Sequence, residues 1–206
     1  MKTLPIIFTY KDLKETYPVV SAFYSFVNRS LTKGSIKQIK KGLYALVDPS
    51  TGDIYANKFQ ICSALFADSY FSYHEALEYY GLANQSFVST FNYLSHRYNN
   101  GFEFNGIIYT GKKCTNQLFV LNRYEEEGIR VVSLERAIID SIDDIEMGGG
   151  LEEVEYALDC CPKLDLDDIT SLLEDRNNMF LYQKVGYLFE KHFKEDIPSS
   201  FYEYCL

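Results

Sequence analysis

A helix-period stretch that runs straight into a basic hairpin constrains this chain most. In "PVVSAFYSFVNRSLTKG" (residues 18–34), Val20, Phe23, Val27 and Leu31 recur at helical spacing and are expected to face a core. The opposite side carries Ser21, Ser25, Asn28, Arg29 and Thr32, all small or hydrogen-bonding. Pro18 suits the first helical position, where its missing N–H does no harm, and Gly34 suits the C-terminal cap. "GSIKQIKKGLYALVD" (residues 34–48) then reads as a strand around 35–39, a Lys-Lys-Gly turn, and a second strand over 43–47. Its apolar residues Ile36, Ile39, Leu43 and Leu46 are expected to fasten the hairpin to the helix ahead of it. "YKDLKETY" (residues 10–17) adds a short helical stretch before Pro18, with Leu13 and Tyr17 on one face. Two short helices at a tight turn followed by a hairpin form the winged variant of the helix-turn-helix. Lysines at the wing tip are then placed to neutralise phosphates. The alternative is that Lys40 and Lys41 only solubilise a turn.

Charge supports a division of labour. The 206-residue chain carries a formal charge of −9. Residues 1–50 nevertheless hold eight basic against three acidic side chains, a local +5, leaving −14 for the remainder. A basic head on an acidic body implies units with different partners. The turn-rich "DPSTGD" (residues 48–53) is the expected boundary between them. No apolar run approaches a membrane span, and "MKTLPIIFTYKDLK" lacks the form of a signal peptide. Five cysteines, odd in number and including the adjacent pair Cys160-Cys161, make a poor disulfide framework. A reduced, cytoplasmic protein is expected.

Beyond residue 53 the elements are mixed. "SYHEALEYYG" predicts a helix with Ser72 and Glu75 as a capping box and Gly81 at its end. "QSFVSTF" and "FEFNGIIYT" read as strands, with Asn105-Gly106 as a turn; "CTNQLFVLNRY" and "IRVVS" read as further strands. "SLERAIIDSIDDI" predicts a helix capped by Ser133, with Leu134, Ala137, Ile138 and Ile142 buried. Three glycines (residues 148–150) form a linker, and about three amphipathic helices follow, one of them capped by Asp165 or its neighbours. The order indicates α+β: a winged helix-turn-helix over residues 1–49, then a mixed α+β domain over residues 54–206.

Motifs for catalysis are thin. "GIIYTGKK" (residues 106–113) nearly spells a phosphate loop, but Lys113 replaces the magnesium-binding hydroxyl and Ile-Ile-Tyr-Thr favours a strand. His74, His96 and His192 lack metal-ligand spacing, and Asp143-Asp144 and Asp165/Asp167/Asp168 lack that of a calcium loop. No cofactor or metal is expected. A metal-dependent nuclease would need carboxylates and a lysine converging on a strand pair, for which only Glu103 and Lys112 offer themselves. Glu135, Arg136 and Asp140 form a possible constellation, although an Arg–Asp pair four apart on a helix is usually structural.

Four segments resemble the AbiEi family, the antitoxins of abortive-infection toxin–antitoxin operons. "LTKGSIKQIKKGLYAL" (residues 31–46) is similar to the family's L-x-K-G-x-I followed by a basic G-[LV]-Y element. "YFSYHEALEYYGL" (70–82), "VVSLERAIIDSI" (131–142) and "YQKVGYLFE" (182–190) resemble its body motifs, in the same order. The resemblance implies a DNA-binding autorepressor whose C-terminal domain carries antitoxin activity against a nucleotidyltransferase-like toxin. It places Ser21, Ser25, Asn28 and Arg29 toward the groove, with Lys33, Lys37, Lys40 and Lys41 on phosphates. Tyr44 is expected to pack the wing onto the helices. Since only "MKTLPIIFT" precedes "YKDL", an N-terminal strand is expected in place of the usual first helix. A single small head gives limited affinity, so a dimer or cooperative binding on double-stranded operator DNA is expected. The alternative is a protein-interaction module that binds the toxin directly, and a nuclease is the third reading.

Overall fold

The computed structural model describes residues 4–97, 99–193 and 197–205. The fold is α+β. In chain order its elements are β1 (Ile7–Phe8), α1 (Val20–Thr32), β2 (Ile36–Lys40), β3 (Leu43–Leu46), α2 (Lys58–Ala64), α3 (Tyr73–Tyr79), β4 (Thr90–Ser95), β5 (Asn99–Phe104), β6 (Ile107–Lys113), β7 (Val120–Arg123), α4 (Tyr124–Glu127), β8 (Ile129–Val132), α5 (Leu134–Asp143), α6 (Leu151–Cys160), α7 (Leu166–Arg176), α8 (Met179–Phe193) and α9 (Ser199–Cys205). Among the described residues, no helix is long and apolar enough to cross a membrane.

The chain divides into two compact units. The first comprises residues 1–69, 89–113 and 123–129; the second comprises 70–88, 114–122 and 130–206. The head therefore shares its unit with later strands. "DPSTGD" is a tight turn inside that unit: Asp48 N donates to Asp53 O at 2.7 Å, and Tyr55 N returns to Leu46 O at 3.0 Å.

In the first unit, α1 turns its Phe23 and Val27 into a small core with Phe8, Leu13, Ile36 and Tyr44. Tyr44 lies 5.7 Å from Phe8 and 6.2 Å from Phe23, centroid to centroid, fastening the wing to the helix. Ile36, Ile39 and Leu43 are buried, and Leu46 is partly buried. The sheet order is β1-β3-β2, with all pairs antiparallel. The helix closes as expected: Gly34 takes φ +70°, its N–H donates to Leu31 O, and Ser35 N donates to Ser30 O. That double bond is a Schellman cap.

Three local expectations change in the head. Helix α1 starts at Val20, with Val19 as its N-cap, two residues later than Pro18 predicts. Val20 is 49% exposed because this first turn overhangs the core. Residues 10–16 form successive turns, closed by Leu13 N to Tyr10 O and Lys14 N to Lys11 O, in place of a short helix.

The unit's second sheet has the order β4-β6-β5. β5 and β6 form the hairpin expected around Asn105 (φ +50°) and Gly106 (φ +77°), two left-handed residues that suit a type I′ turn. β4 runs parallel to β6 and begins at Thr90, so most of "QSFVSTF" lies outside it. Of "CTNQLFVLNRY", only Val120–Arg123 is strand. Helix α2 carries an Asn57/Gln60 capping box, each side chain bonded to the other's backbone N–H.

The second unit is built around α5, whose residues 136–142 are all buried. Ser133 caps it, accepting from Arg136 N at 3.2 Å, and Asp165 caps α7. Leu134 is only partly buried because the buried surface starts one turn in. The expected capping box on α3 does not form. Ser72 Oγ donates instead to Asp140 Oδ2 at 2.6 Å, so the hydroxyl serves the packing of α3 on α5.

Candidate nucleic-acid interface

Charge follows the compact units. The first holds thirteen basic and nine acidic side chains, the second seven and twenty, or +4 against −13. Any polyanion surface therefore belongs to the first unit.

Helix α1 brings five of the predicted residues together. Ser21, Ser25, Asn28, Arg29 and Lys33 are all exposed on the side away from Phe23 and Val27. Tyr24 joins them, 48% exposed, as does Val20. Arg29 Nε donates to Ser25 O at 3.2 Å, which lays the guanidinium along its own helix. Thr32 Oγ1 donates to Asn28 O at 2.9 Å. The resulting face is a polar, weakly cationic ridge with two apolar contacts.

The wing lysines separate into three situations. Lys41 is exposed at the tip, beside Gly42 at φ +83°. Lys37 Nζ donates to Gly52 O at 2.9 Å, tying β2 to the 48–53 turn. Lys40 turns inward: its ammonium donates to Leu65 O at 3.1 Å and sits 4.0 Å from the centroid of Phe66. It also lies 5.8 Å from Phe102. Burial lowers its pKa below the ordinary lysine value. In this arrangement Lys40 is a cation–π anchor for the wing, and its expected place on a phosphate is not the one it takes. The cause is the β-bulge between Gln38 and Lys40, which changes the side-chain alternation at the end of β2.

Sequence reasoning overlooked Lys11 and Lys14, both exposed on the turns that precede α1. Their signal was the net charge of residues 1–50, which had already counted them.

The remaining candidates have structural explanations. "GIIYTGKK" forms β6, as its β-branched residues predict. Glu103 stands opposite Ile108 in the β5–β6 ladder, four residues from Lys112. At ~3.3 Å per residue, these two lie about 13 Å apart along the strand. Among the described residues, no group of three His, Cys, Asp or Glu side chains is placed to hold a metal ion. The five cysteines are free. His74 is buried against Phe87, its Nε2 3.2 Å from Glu153 Oε1. The same carboxylate oxygen accepts from Asn84 N and Gln85 N, which fixes the loop after α3.

Arg136 and Asp140 are not exposed functional groups. Arg136 is fully buried, donating to Asp140 Oδ2 at 3.2 Å, Tyr70 Oη at 3.1 Å and the carbonyls of Asn116 and Leu118. Asp140 also accepts from Ser72 and Arg176. Glu135 is partly exposed and accepts from Asp165 N.

No protein-family model matches the chain, and no curated protein sequence matches it. Its fold is similar to the crystal structure of the RV2827C protein from Mycobacterium tuberculosis, with a TM-score of 0.63 at 13% identity. The similarity covers 98% of this chain and 76% of that one.

Proposed function

We propose that this chain is a DNA-binding transcriptional repressor and antitoxin of AbiEi type, acting on the operon of an abortive-infection toxin–antitoxin pair. The observation that carries the reading is the exposed face of α1. A helix in a unit of charge +4 presents Ser21, Ser25, Asn28, Arg29 and Lys33 outward, while its other side is locked to a three-stranded sheet. The order β1, turns, α1, β2, β3 supports a winged helix-turn-helix in which a strand replaces the first helix. Asn28 suits an adenine edge and Arg29 a guanine edge. Lys33 and Lys41, joined by Lys11 and Lys14, supply phosphate contacts, while Lys37 and Lys40 hold the wing in place. An electrophoretic mobility shift with DNA from upstream of the gene tests this. A retarded band that persists under excess unrelated competitor supports the reading, and no band at low salt refutes it.

A protein-interaction module is the second reading, favoured by α8. Its Met179, Phe180 and Tyr187 are exposed at 63%, 76% and 67%, more apolar surface than a solvated helix usually offers. Co-purification of a nucleotidyltransferase-like neighbour at moderate salt supports that module over repression alone.

A further inference from the structure

We infer that the C-terminal ends of β4 and β6 carry a second phosphate-binding surface, made by Arg97, Lys112 and Lys113, that grips duplex DNA beyond the stretch met by α1. The inference rests on the DNA-binding reading and adds a second surface to it.

The topology assembles this cluster. Because β4 and β6 are parallel, their C-terminal residues finish side by side, with Leu94 beside Lys112 and Ser95 beside Lys113. Ser95 Oγ then holds the chain just beyond β4, donating to Arg97 O at 2.8 Å and accepting from Arg97 N at 3.1 Å. Arg97 is thereby anchored two residues past the neighbour of Lys113. All three side chains are exposed. A hairpin would have placed the end of one strand against the start of the other; the parallel pair concentrates both cationic ends at one edge.

Local charge reinforces the placement. No acidic residue occurs between Glu103 and Glu125. Glu103 pairs with Ile108, away from the lysine end of the sheet. Asp68 is occupied by His96, accepting from its backbone N at 2.6 Å and lying 3.5 Å from Nδ1. The three cations therefore face solvent as a group in the unit of charge +4. Clustered like charges repel one another, and a polyanion relieves that repulsion while releasing counterions.

The same unit ties this sheet to the wing, since Lys40 of β2 sits over Phe66 and near Phe102 of β5. Helix face, wing tip and sheet end thus belong to one body, and a duplex longer than the α1 contact can meet more than one of them.

The test is a salt titration of binding to random-sequence duplex of about 40 base pairs, roughly four helical turns. Four proteins are compared: wild type, Arg97→Ala/Lys112→Ala/Lys113→Ala, Lys33→Ala/Lys41→Ala, and the combination. Circular dichroism and thermal unfolding check that each is folded; Lys112→Gln/Lys113→Gln replaces the triple variant if its melting changes. Each lost phosphate contact lowers the slope of log K against log salt by about 0.9, so the sheet variant is expected to lose about 2 to 3. The head variant loses about 2 and the combination loses both. A sheet variant with the wild-type slope, beside a head variant whose slope falls, overturns the second surface and leaves DNA binding intact. Wild type that binds no duplex at low salt overturns both.

Discussion

Ser72 Oγ lies 2.6 Å from Asp140 Oδ2, joining α3 to α5 across 68 residues of sequence inside a fully buried ion-pair network. Asp140 holds Arg136 through one oxygen and Arg176 through the other; Arg136 in turn gathers Tyr70 and the carbonyls of Asn116 and Leu118. Lys184 closes the far end of α5, donating to Asp143 O at 2.9 Å. Each of the three body motifs thus supplies a side chain that serves the packing of α5.

Replacing Asp140 with Asn strands a buried guanidinium. A loss of about 3 to 5 kcal/mol is expected in urea unfolding, because removing one partner leaves the other charge uncompensated. Ser72→Ala removes one hydrogen bond to a charged group and is expected to cost about 1.5 to 3 kcal/mol. An Asp140→Asn protein as stable as wild type contradicts the network's role.

Lys40 and Lys41 are expected to part company despite being neighbours. Lys41→Ala weakens binding to every duplex and lowers the salt slope by about 1, the signature of a lost phosphate contact. Lys40→Met keeps the aliphatic stem over Phe66 and leaves the slope unchanged, because its ammonium already serves Leu65 O. Equal slope changes for the two variants would return Lys40 to the phosphates.

Stability is expected to fall with rising pH above about 9. Burial pushes the Cys161 thiol up to about 12, helped by the neighbouring Glu135 and Cys160, and burial pushes Cys205 up to about 11. Burial likewise raises the Tyr70, Tyr73 and Tyr109 hydroxyls above their ordinary value. Between the ordinary and folded values the unfolded chain has lost protons that the folded chain keeps. This stability is therefore complete below pH 9 and drains away as pH rises toward the folded values. Urea unfolding at pH 8, 9, 10 and 11 checks it; a midpoint that stays level or rises to pH 11 contradicts it. At pH 8 iodoacetamide is expected to modify the exposed Cys160 well before Cys161 or Cys205.

What was legible in the sequence was local. The α1 period, the Gly34 cap, the Asn105-Gly106 turn, and the Ser133 and Asp165 caps each depend on residues a few positions apart. The mixed α+β class followed from the same elements. Long-range placement was not legible. The parallel β4–β6 pair joins residues on either side of β5, and no turn signal announces it. Lys40 reads as a wing-tip charge until the structure brings Leu65 and Phe66 beside it. The Arg136–Asp140 spacing was visible, but the partners that bury it come from residues 70, 72, 116, 118 and 176. The α2 capping box, Asn57-x-x-Gln60, was present in the sequence and overlooked.

Fluorescence anisotropy on the upstream DNA and on a scrambled duplex of the same length and composition tests the central claim most directly. Wild type is expected to favour the upstream duplex. Asn28→Ala/Arg29→Ala is expected to lose that preference while keeping most of its affinity for the scrambled duplex, since each good base contact discriminates by about 1 to 3 kcal/mol. A double variant that prefers the upstream duplex as strongly as wild type would show that α1 does not read DNA.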